Sequence, residues 1–372
     1  MKKNLLTLVI ATVLITNISY LKAQQDPYVT HYMFNRSMYN PAAVGAGGKF
    51  CLSALSHYQY TGFEDRTIEF FPSDPSIPSS KPGTATKSVG PKTKMFAFSA
   101  PLNFGTDAGG NIRNLGGLGI AFMDDKLGYE NSTHIKIQGA GRLPFNDGGA
   151  LAVGFEYNIL QKGVNGKMLK PLAQGDPRIP TSTVTENHPN YAVGLYYNNP
   201  MTNSASIKDV WGGFSVSQLK YQQYYFGGPA TPYAFSDTRK HYYVMGGFTM
   251  QDFLGKPDLE LLPSVMIKQN TVVQFELSAL ARYQKKLWGG INYRSMVDAF
   301  SIMLGYQISN ANSKLNGLRI GYSYDLTLSK ILSVSGGSHE IQLNYCFSIS
   351  IPKPPIKRIL NPRHLDRDPN LD

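Results

Sequence analysis

Residues 339–351 (HEIQLNYCFSISI) alternate between two classes of side chain along their whole length. Apolar residues occupy every second position from Ile341 to Ile351, and the intervening positions are mostly polar or small. A period of two is typical of a β-strand whose two faces meet different environments. Strands of soluble proteins usually run for about five or six residues, whereas a strand that crosses an outer membrane needs about ten. The length of the pattern therefore favours a transmembrane β-strand.

Similar alternation recurs through most of the chain. It is found in segments 51–60, 94–103, 116–125, 133–142, 150–161, 190–199, 210–219, 240–248, 261–268, 272–283, 287–293, 299–307 and 317–325. With the last segment these make about fourteen strands, and an even number closes a single-chain bacterial barrel with both ends in the periplasm. We therefore predict an all-β fold, a transmembrane antiparallel β-barrel, with short periplasmic turns such as 144–149. The long connections 61–93, 162–189 and 220–238 then face outward from the cell.

The composition agrees with this class of protein and argues against others. Only 16% of the residues are charged, whereas Tyr (23), Phe (19) and Gly (36) are abundant. Beyond the first residues, no apolar run reaches the roughly 18 residues that indicate a membrane-spanning helix. The net charge of +11 is scattered rather than gathered into a stripe, so no nucleic-acid partner is expected.

The N-terminus indicates export from the cytoplasm. Lys2 and Lys3 precede a short apolar stretch, and Ala23 provides a small residue where that stretch ends, which is the layout of a signal peptide. A membrane anchor is the alternative, but an anchor usually needs about 20 apolar residues. The predicted division is a signal peptide at 1–23, a periplasmic or plug-like segment at 24–49, the barrel at 50–351 and a periplasmic tail at 352–372.

Two groups of motifs lie at opposite ends of the chain. Near the start are QDP at 25–27, HYMFN at 31–35 and YNPAAVG at 39–45, and near the end are GYSYD at 321–325 and SGGSHEI at 335–341. Together they resemble the PorP/SprF family, with His31 at a position where Gln is commoner. The resemblance implies an outer-membrane component of the type IX secretion system of Bacteroidota that assists secretion or surface attachment of cargo such as gliding adhesins. The implied partners are outer-membrane lipid, the C-terminal signal domain of cargo, and periplasmic ring and lipoprotein components.

The sequence Ser338-His339-Glu340 contains the residue types of a hydrolase site. Adjacent residues of a strand point to opposite faces of the sheet, so His339 does not share a face with the other two. The chain also has no G-x-S-x-G motif. We therefore expect these residues to anchor the top of the last strand, and we expect no catalytic, cofactor or metal site.

Three regions are candidates for partner contacts. The Asn-Pro of Tyr39-Asn40-Pro41 favours a turn that fixes the N-terminal segment, and the alternative is a plug or a docking surface. Aromatic residues in a loop are common interface anchors, but they also form the aromatic girdle of barrels. The candidates in that loop and in the tail are Tyr221, Tyr224, Tyr225, Phe226, Arg358 and Arg363.

The two cysteines, Cys51 and Cys346, fall in the first and last predicted strands. These strands are neighbours in a closed barrel, and both cysteines belong to the inward-facing set. The cell envelope permits disulfides, so a bond between them depends on strand register and geometry.

The sequence as a whole predicts a non-catalytic barrel that acts in type IX secretion. The main alternative is a passive pore or transporter for small or hydrophobic molecules, and the modest number of inward-facing charges argues mildly against a wide porin. An outer-membrane lipid hydrolase or acyltransferase and a soluble secreted β-sandwich adhesin are further alternatives.

Overall fold

The computed structural model of the protein describes residues 26–63, 90–106, 112–169, 180–225, 234–295, 299–310, 312–328, 331, 333 and 335–349. The predicted signal peptide and the tail at 352–372 lie outside these residues. Within them, fourteen strands close into one barrel and two short strands pair separately. No helix in this part of the chain is long and apolar enough to cross a membrane.

The barrel is antiparallel throughout, and each strand pairs with its neighbour in sequence except where β7 pairs with β10 and β1 pairs with β16. The strands are β1 (Phe50–Tyr58), β2 (Lys92–Thr106), β3 (Ile112–Leu127), β4 (Glu130–Pro144), β5 (Ala150–Asn165), β6 (Thr183–Asn199), β7 (Ile207–Ser217), β8 (Gln223–Tyr225), β9 (Ala234–Asp237), β10 (His241–Met250), β11 (Leu259–Gln269), β12 (Val273–Tyr283), β13 (Leu287–Arg294), β14 (Ala299–Gln307), β15 (Leu318–Thr327) and β16 (Ser338–Phe347).

The predicted barrel is therefore confirmed, and each of the fourteen predicted segments overlaps one of its strands. Two details of the prediction were wrong. The last strand ends at Phe347 rather than at residue 351. The alternation of apolar and polar residues therefore continues beyond the last residue that pairs with a neighbouring strand. The aromatic loop also contains the hairpin β8–β9, which is too short to give a periodic signal.

The barrel wall is taller on one side. Strands β2 to β6 have 15 to 17 residues, whereas a tilted strand needs only about 9–11 to cross a bilayer. Strands β10 to β16 have 8 to 11. The outward side chains are largely apolar and exposed, as a lipid-facing surface requires; they include Ile120, Ile137, Val153, Leu195, Leu277, Leu304 and Ile341.

The buried core of the protein is the interior of the barrel. Residues 26–49, which we call the lumen segment, lie inside it as short helical turns, and most of their side chains are buried. Apolar side chains of the segment pack against inward residues of the wall, and both sets are rich in methionine: Met33, Met38, Met95, Met123, Met245, Met266 and Met303. The flexible thioether side chain of methionine suits an irregular space of this kind.

The turn at Asn40-Pro41-Ala42 lies against a part of the wall where two paired glycines have no side chains. A Cβ on Gly154 would lie 2.2 Å from the Ala42 nitrogen, and one on Gly194 would lie 2.0 Å from Asn40 Oδ1. Gly154 and Gly194 are directly paired across β5 and β6. Missing side chains on adjacent strands thus let the backbone of the turn approach the sheet closely.

Replacing Gly154 by alanine should displace the lumen segment, because the obstructing neighbour is backbone and has no rotamer to change. We expect Gly154→Ala to expose the segment to added protease and to lower the thermal unfolding temperature. Gly141→Ala is the matched control, since a Cβ there meets nothing within 4 Å. Equal protease resistance of the two variants would contradict the close packing described above.

A disulfide joins Cys51 and Cys346, which are directly paired in the register of β1 and β16. It therefore crosses the seam where the first and last strands close the barrel. The loop it closes has a sequence separation of 295 residues, and long loops lose the most unfolded-state entropy on cross-linking.

Removing this bond should weaken the folded barrel. We expect Cys51→Ser combined with Cys346→Ser to lower the free energy of unfolding by about 2–4 kcal/mol, measured by urea unfolding in lipid vesicles. Reductant should lower the stability of the wild type in the same way and leave the double variant unchanged. A wild type that is insensitive to reductant would show that the seam does not need the bond.

Candidate functional site

The lumen segment runs from one end of the barrel to the other. Asp26 accepts a hydrogen bond from Gln218 Nε2 (3.0 Å) and another from the Tyr243 hydroxyl, and its carbonyl accepts one from Lys268 Nζ (2.7 Å). These partners lie at the end of the barrel that carries the connection 218–240. Residue 49 joins β1 at the opposite end, which carries the short turns 145–149 and 284–286. The longest connections between barrel strands, 59–91, 166–182 and 218–240, lie at the end where Asp26 is held. Longer loops of such barrels are extracellular, so the segment starts near the extracellular end.

Glu340 of β16 holds the segment by its backbone. The carboxylate accepts the Thr30 N–H and the His31 N–H at 2.9 Å each, and it also contacts His31 Nδ1 at 2.5 Å. Glu340 and His31 are fully buried. Hydrogen bonds to an ionised group are stronger than neutral ones, so this carboxylate fixes one point of the segment to the wall.

A second set of charges continues from this point. Asp325 accepts the Thr30 hydroxyl at 3.1 Å, and it lies 3.6 Å from both His57 Nε2 and Arg294 NH1. Arg294 is also paired with Glu276 at 3.0 Å. Buried charges need such partners because an isolated one is costly to desolvate. The cluster therefore binds four wall strands and the segment into one network.

The sequence-based view of the interior was wrong on one point. Inward charges are numerous rather than modest, and buried or nearly buried ones include Lys136, Arg142, Glu156, Glu260, Lys268, Glu276, Arg294, Asp325 and Glu340. Many of them contact the lumen segment instead of lining a water-filled channel; for example, Lys136 Nζ donates to the Met38 carbonyl at 3.0 Å. Assigning each predicted strand its inward set would have revealed these residues.

Two tyrosines of the lumen segment, Tyr28 and Tyr32, contact side chains of the wall. Tyr28 and Tyr32 are both buried. The Tyr32 hydroxyl donates to Ser264 Oγ at 3.1 Å. The Tyr28 ring carries the Lys268 ammonium and the Arg294 guanidinium, each 4.9 Å from its centroid, which are cation–π distances.

The residues of the hydrolase-like triplet lie on two faces of β16. Ser338 and Glu340 are buried in the interior, where Ser338 Oγ accepts the Tyr60 N–H at 3.1 Å. His339 points to the other face, and its Nδ1 lies 2.7 Å from the Tyr322 hydroxyl. The strand thus separates the histidine from the serine that it would have to activate.

The candidate partner residues have different surroundings. Tyr39, Asn40 and Pro41 are buried in the lumen, so in this structure they hold the segment and do not form an exposed docking surface. Asn40 Oδ1 accepts the Ala42 N–H at 2.9 Å, and Asn40 Nδ2 donates to the Leu195 carbonyl at 2.8 Å.

The aromatic loop contains one buried tyrosine and two exposed ones among its described residues. Tyr224 of β8 is fully buried; it packs against Leu160 and Val164 and anchors the hairpin. Tyr221 is 58% exposed and Tyr225 is 36% exposed, so both remain open to contacts. Phe226, Arg358 and Arg363 lie outside the described residues.

The charge cluster around Glu340 yields a direct prediction. Glu340→Ala leaves the Thr30 and His31 N–H groups and the His31 ring without their acceptor, so we expect a loss of about 3–5 kcal/mol in the free energy of unfolding. Lys126→Ala is the control, because its contact with Asp124 is 3.9 Å long and largely exposed; its effect should be below about 1 kcal/mol. Similar losses in the two variants, measured by urea unfolding in vesicles, would show that Glu340 does not anchor the segment.

Among solved structures, three similar barrels illustrate the fold. The toluene transporter TbuX of Ralstonia pickettii has 12% identity and a TM-score of 0.43, over 85% of this chain and 94% of that one. A Pseudomonas aeruginosa FadL homologue has 11% identity and a TM-score of 0.42, over 84% and 94%. The monoaromatic hydrocarbon channel CymD has 11% identity and a TM-score of 0.44, over 85% and 93%.

The similarity to these structures is too distant to carry an inference about ligands. Comparison with curated proteins finds no match. A family model described as the type IX secretion system membrane protein PorP/SprF matches residues 21–345. That range covers both groups of terminal motifs and nearly the whole barrel. A closed antiparallel barrel in a family of secretion-system membrane proteins is an outer-membrane protein. The chain belongs to the PorP/SprF family of type IX secretion system membrane proteins.

Proposed function

We propose that the protein is a non-catalytic, internally filled barrel that assists secretion or surface attachment of cargo proteins, such as gliding adhesins, and contacts periplasmic components of type IX secretion. The observation that carries the proposal is the filled lumen. Residues 26–49 occupy the interior and are tied to the wall by the charges around Glu340. A barrel filled in this way acts through its two surfaces.

The geometry of β16 supports a function without catalysis. Ser338 and His339 lie on opposite faces of the strand, and Ser338 Oγ accepts a backbone N–H. The fully buried Glu340 carboxylate is bound by the lumen segment. Each residue of the triplet thus has a structural partner in place of a substrate.

The extracellular surface is where we place cargo contact. The tall strands β5 and β6 and the hairpin β8–β9 form one unit there, because Tyr224 packs between them. Tyr221 and Tyr225 remain exposed on this unit, and aromatic residues are preferred interface anchors. On the periplasmic side, the tail with Arg358 and Arg363 is the proposed contact with ring and lipoprotein components.

Deleting the gene tests this function. We expect the deletion strain to lose one or a few type IX cargo proteins from the cell surface, measured by mass spectrometry of peptides released by surface proteolysis. Wild-type protein supplied in trans should restore them, whereas Tyr221→Ser combined with Tyr225→Ser should restore them only partly. Lys126→Ala serves as the complementation control.

Two results would contradict the proposal. One is a deletion strain that retains all of its type IX cargo on the surface. The other is steady conductance of the purified protein in planar bilayers, since a filled lumen should give none. Conductance together with retained cargo would favour a passive pore.

A further inference from the structure

A cavity of about 1330 Å³ opens at the end of the barrel that carries the short turns, below the lumen segment. Its lining includes Phe34 and Arg36 of the segment, Tyr196 and Trp211 of the wall, and the turn around Asp147. Pockets for small molecules usually measure about 300–1,000 Å³, so this space is large enough for a longer ligand. We call it the periplasmic vestibule.

Four arginines line the vestibule: Arg36, Arg142, Arg282 and Arg319. Arg282 is paired with Glu260 at 2.6 Å. The other three form no ion pair with a carboxylate among the described residues. Arg36 donates to the Tyr196 hydroxyl at 2.8 Å, and Arg319 donates to Gln307 Oε1 at 2.9 Å. These acceptors are neutral, so three positive charges around the vestibule have no carboxylate partner among the described residues.

Two of these guanidinium groups lie over aromatic rings. Arg36 lies 4.0 Å from the centroid of Trp211, and Arg319 lies 4.1 Å from that of Phe34. Arg36 uses Nε and NH1 for neutral acceptors, and Arg319 uses Nε and NH2, which leaves NH2 of Arg36 and NH1 of Arg319 as donors for an anion. Hydrogen bonds from a guanidinium to a carboxylate are stronger than those to a neutral acceptor.

Arg142 provides the independent observation. Its side chain is 6% exposed, and its single hydrogen bond is from NH1 to the Gly45 carbonyl at 3.3 Å. The Nε and NH2 atoms are buried and have no partner. A buried cation with free donors is costly, and a bound anion would remove that cost.

The acidic residues of the vestibule lie at its rim. Asp147 and Asp209 are exposed in or beside the turns at its mouth. Asp147 is already occupied, since it accepts Asn199 Nδ2 and the Gly149 N–H at 2.9 Å each. The positive charge is thus concentrated in the interior of the cavity, where an entering anion would be held.

We propose that the periplasmic vestibule binds an acidic peptide segment whose carboxylates accept hydrogen bonds from Arg142, Arg36 and Arg319. The volume of about 1330 Å³ exceeds what a single small anion needs and has room for the rest of a peptide. This site goes beyond the proposed function, and its test uses purified protein without cargo. A negative result for peptide binding therefore leaves the proposed cargo function untouched, and the reverse also holds.

The test is binding of a fluorescein-labelled peptide of six glutamates to the full-length protein in detergent, followed by fluorescence anisotropy. We expect saturable binding that weakens with salt, because screening reduces attraction between charges. Arg142→Gln should weaken it about ten- to hundredfold, the range for one hydrogen bond to a charged group. Arg239→Gln is the matched control, since Arg239 is half exposed and paired with Asp237 in the connection before β10.

Heat-modifiable migration in gels establishes that each variant is a folded barrel, and Arg142→Lys should retain part of the affinity. The proposal is overturned if a peptide of six glutamines binds equally well, or if Arg142→Gln and Arg239→Gln have the same affinity. Saturation by phosphate without any binding of the peptide would identify a site for small anions instead.

Discussion

A closed sheet in a bilayer satisfies its own backbone hydrogen bonds, but it leaves an interior that must hold either water or protein. In this barrel of fourteen strands the interior holds the lumen segment, residues 26–49. The inward face of every strand has to suit that segment while its outward face suits lipid. The positions of the charges, the glycines and the methionines of the wall follow from this single requirement.

The wall meets the segment in three chemically different ways. At the extracellular end, charges on the wall bind backbone and side-chain groups of the segment, as Glu340 does at Thr30 and His31. In the middle, Gly154 and Gly194 leave room for the backbone of a turn. At the periplasmic end, contact gives way to the vestibule, where cations are present without matching anions. The segment is thus bound to the wall near one end of the barrel and borders a cavity at the other.

The strands were predictable because lipid on one side and a filled interior on the other impose a strict period of two over long segments. The sequence left a periplasmic and a plug-like position open for residues 24–49, and it did not give their contacts, because these residues have no period and their partners are distant in sequence. Asn40 illustrates this limit: Asn-Pro indicated a turn, but nothing local indicated that the turn would face glycines of β5 and β6. The bond between Cys51 and Cys346 likewise depended on register, which alternation alone does not give.

The contact between Glu340 and Thr30 joins residues that are 310 positions apart. The part of the barrel that is synthesised first is therefore held by the strand that is synthesised last. Pairing of β1 with β16 closes the sheet around the segment, and β16 also binds the segment through Glu340. The same strand thus closes the wall and fixes its contents, so a change in β16 affects both at once.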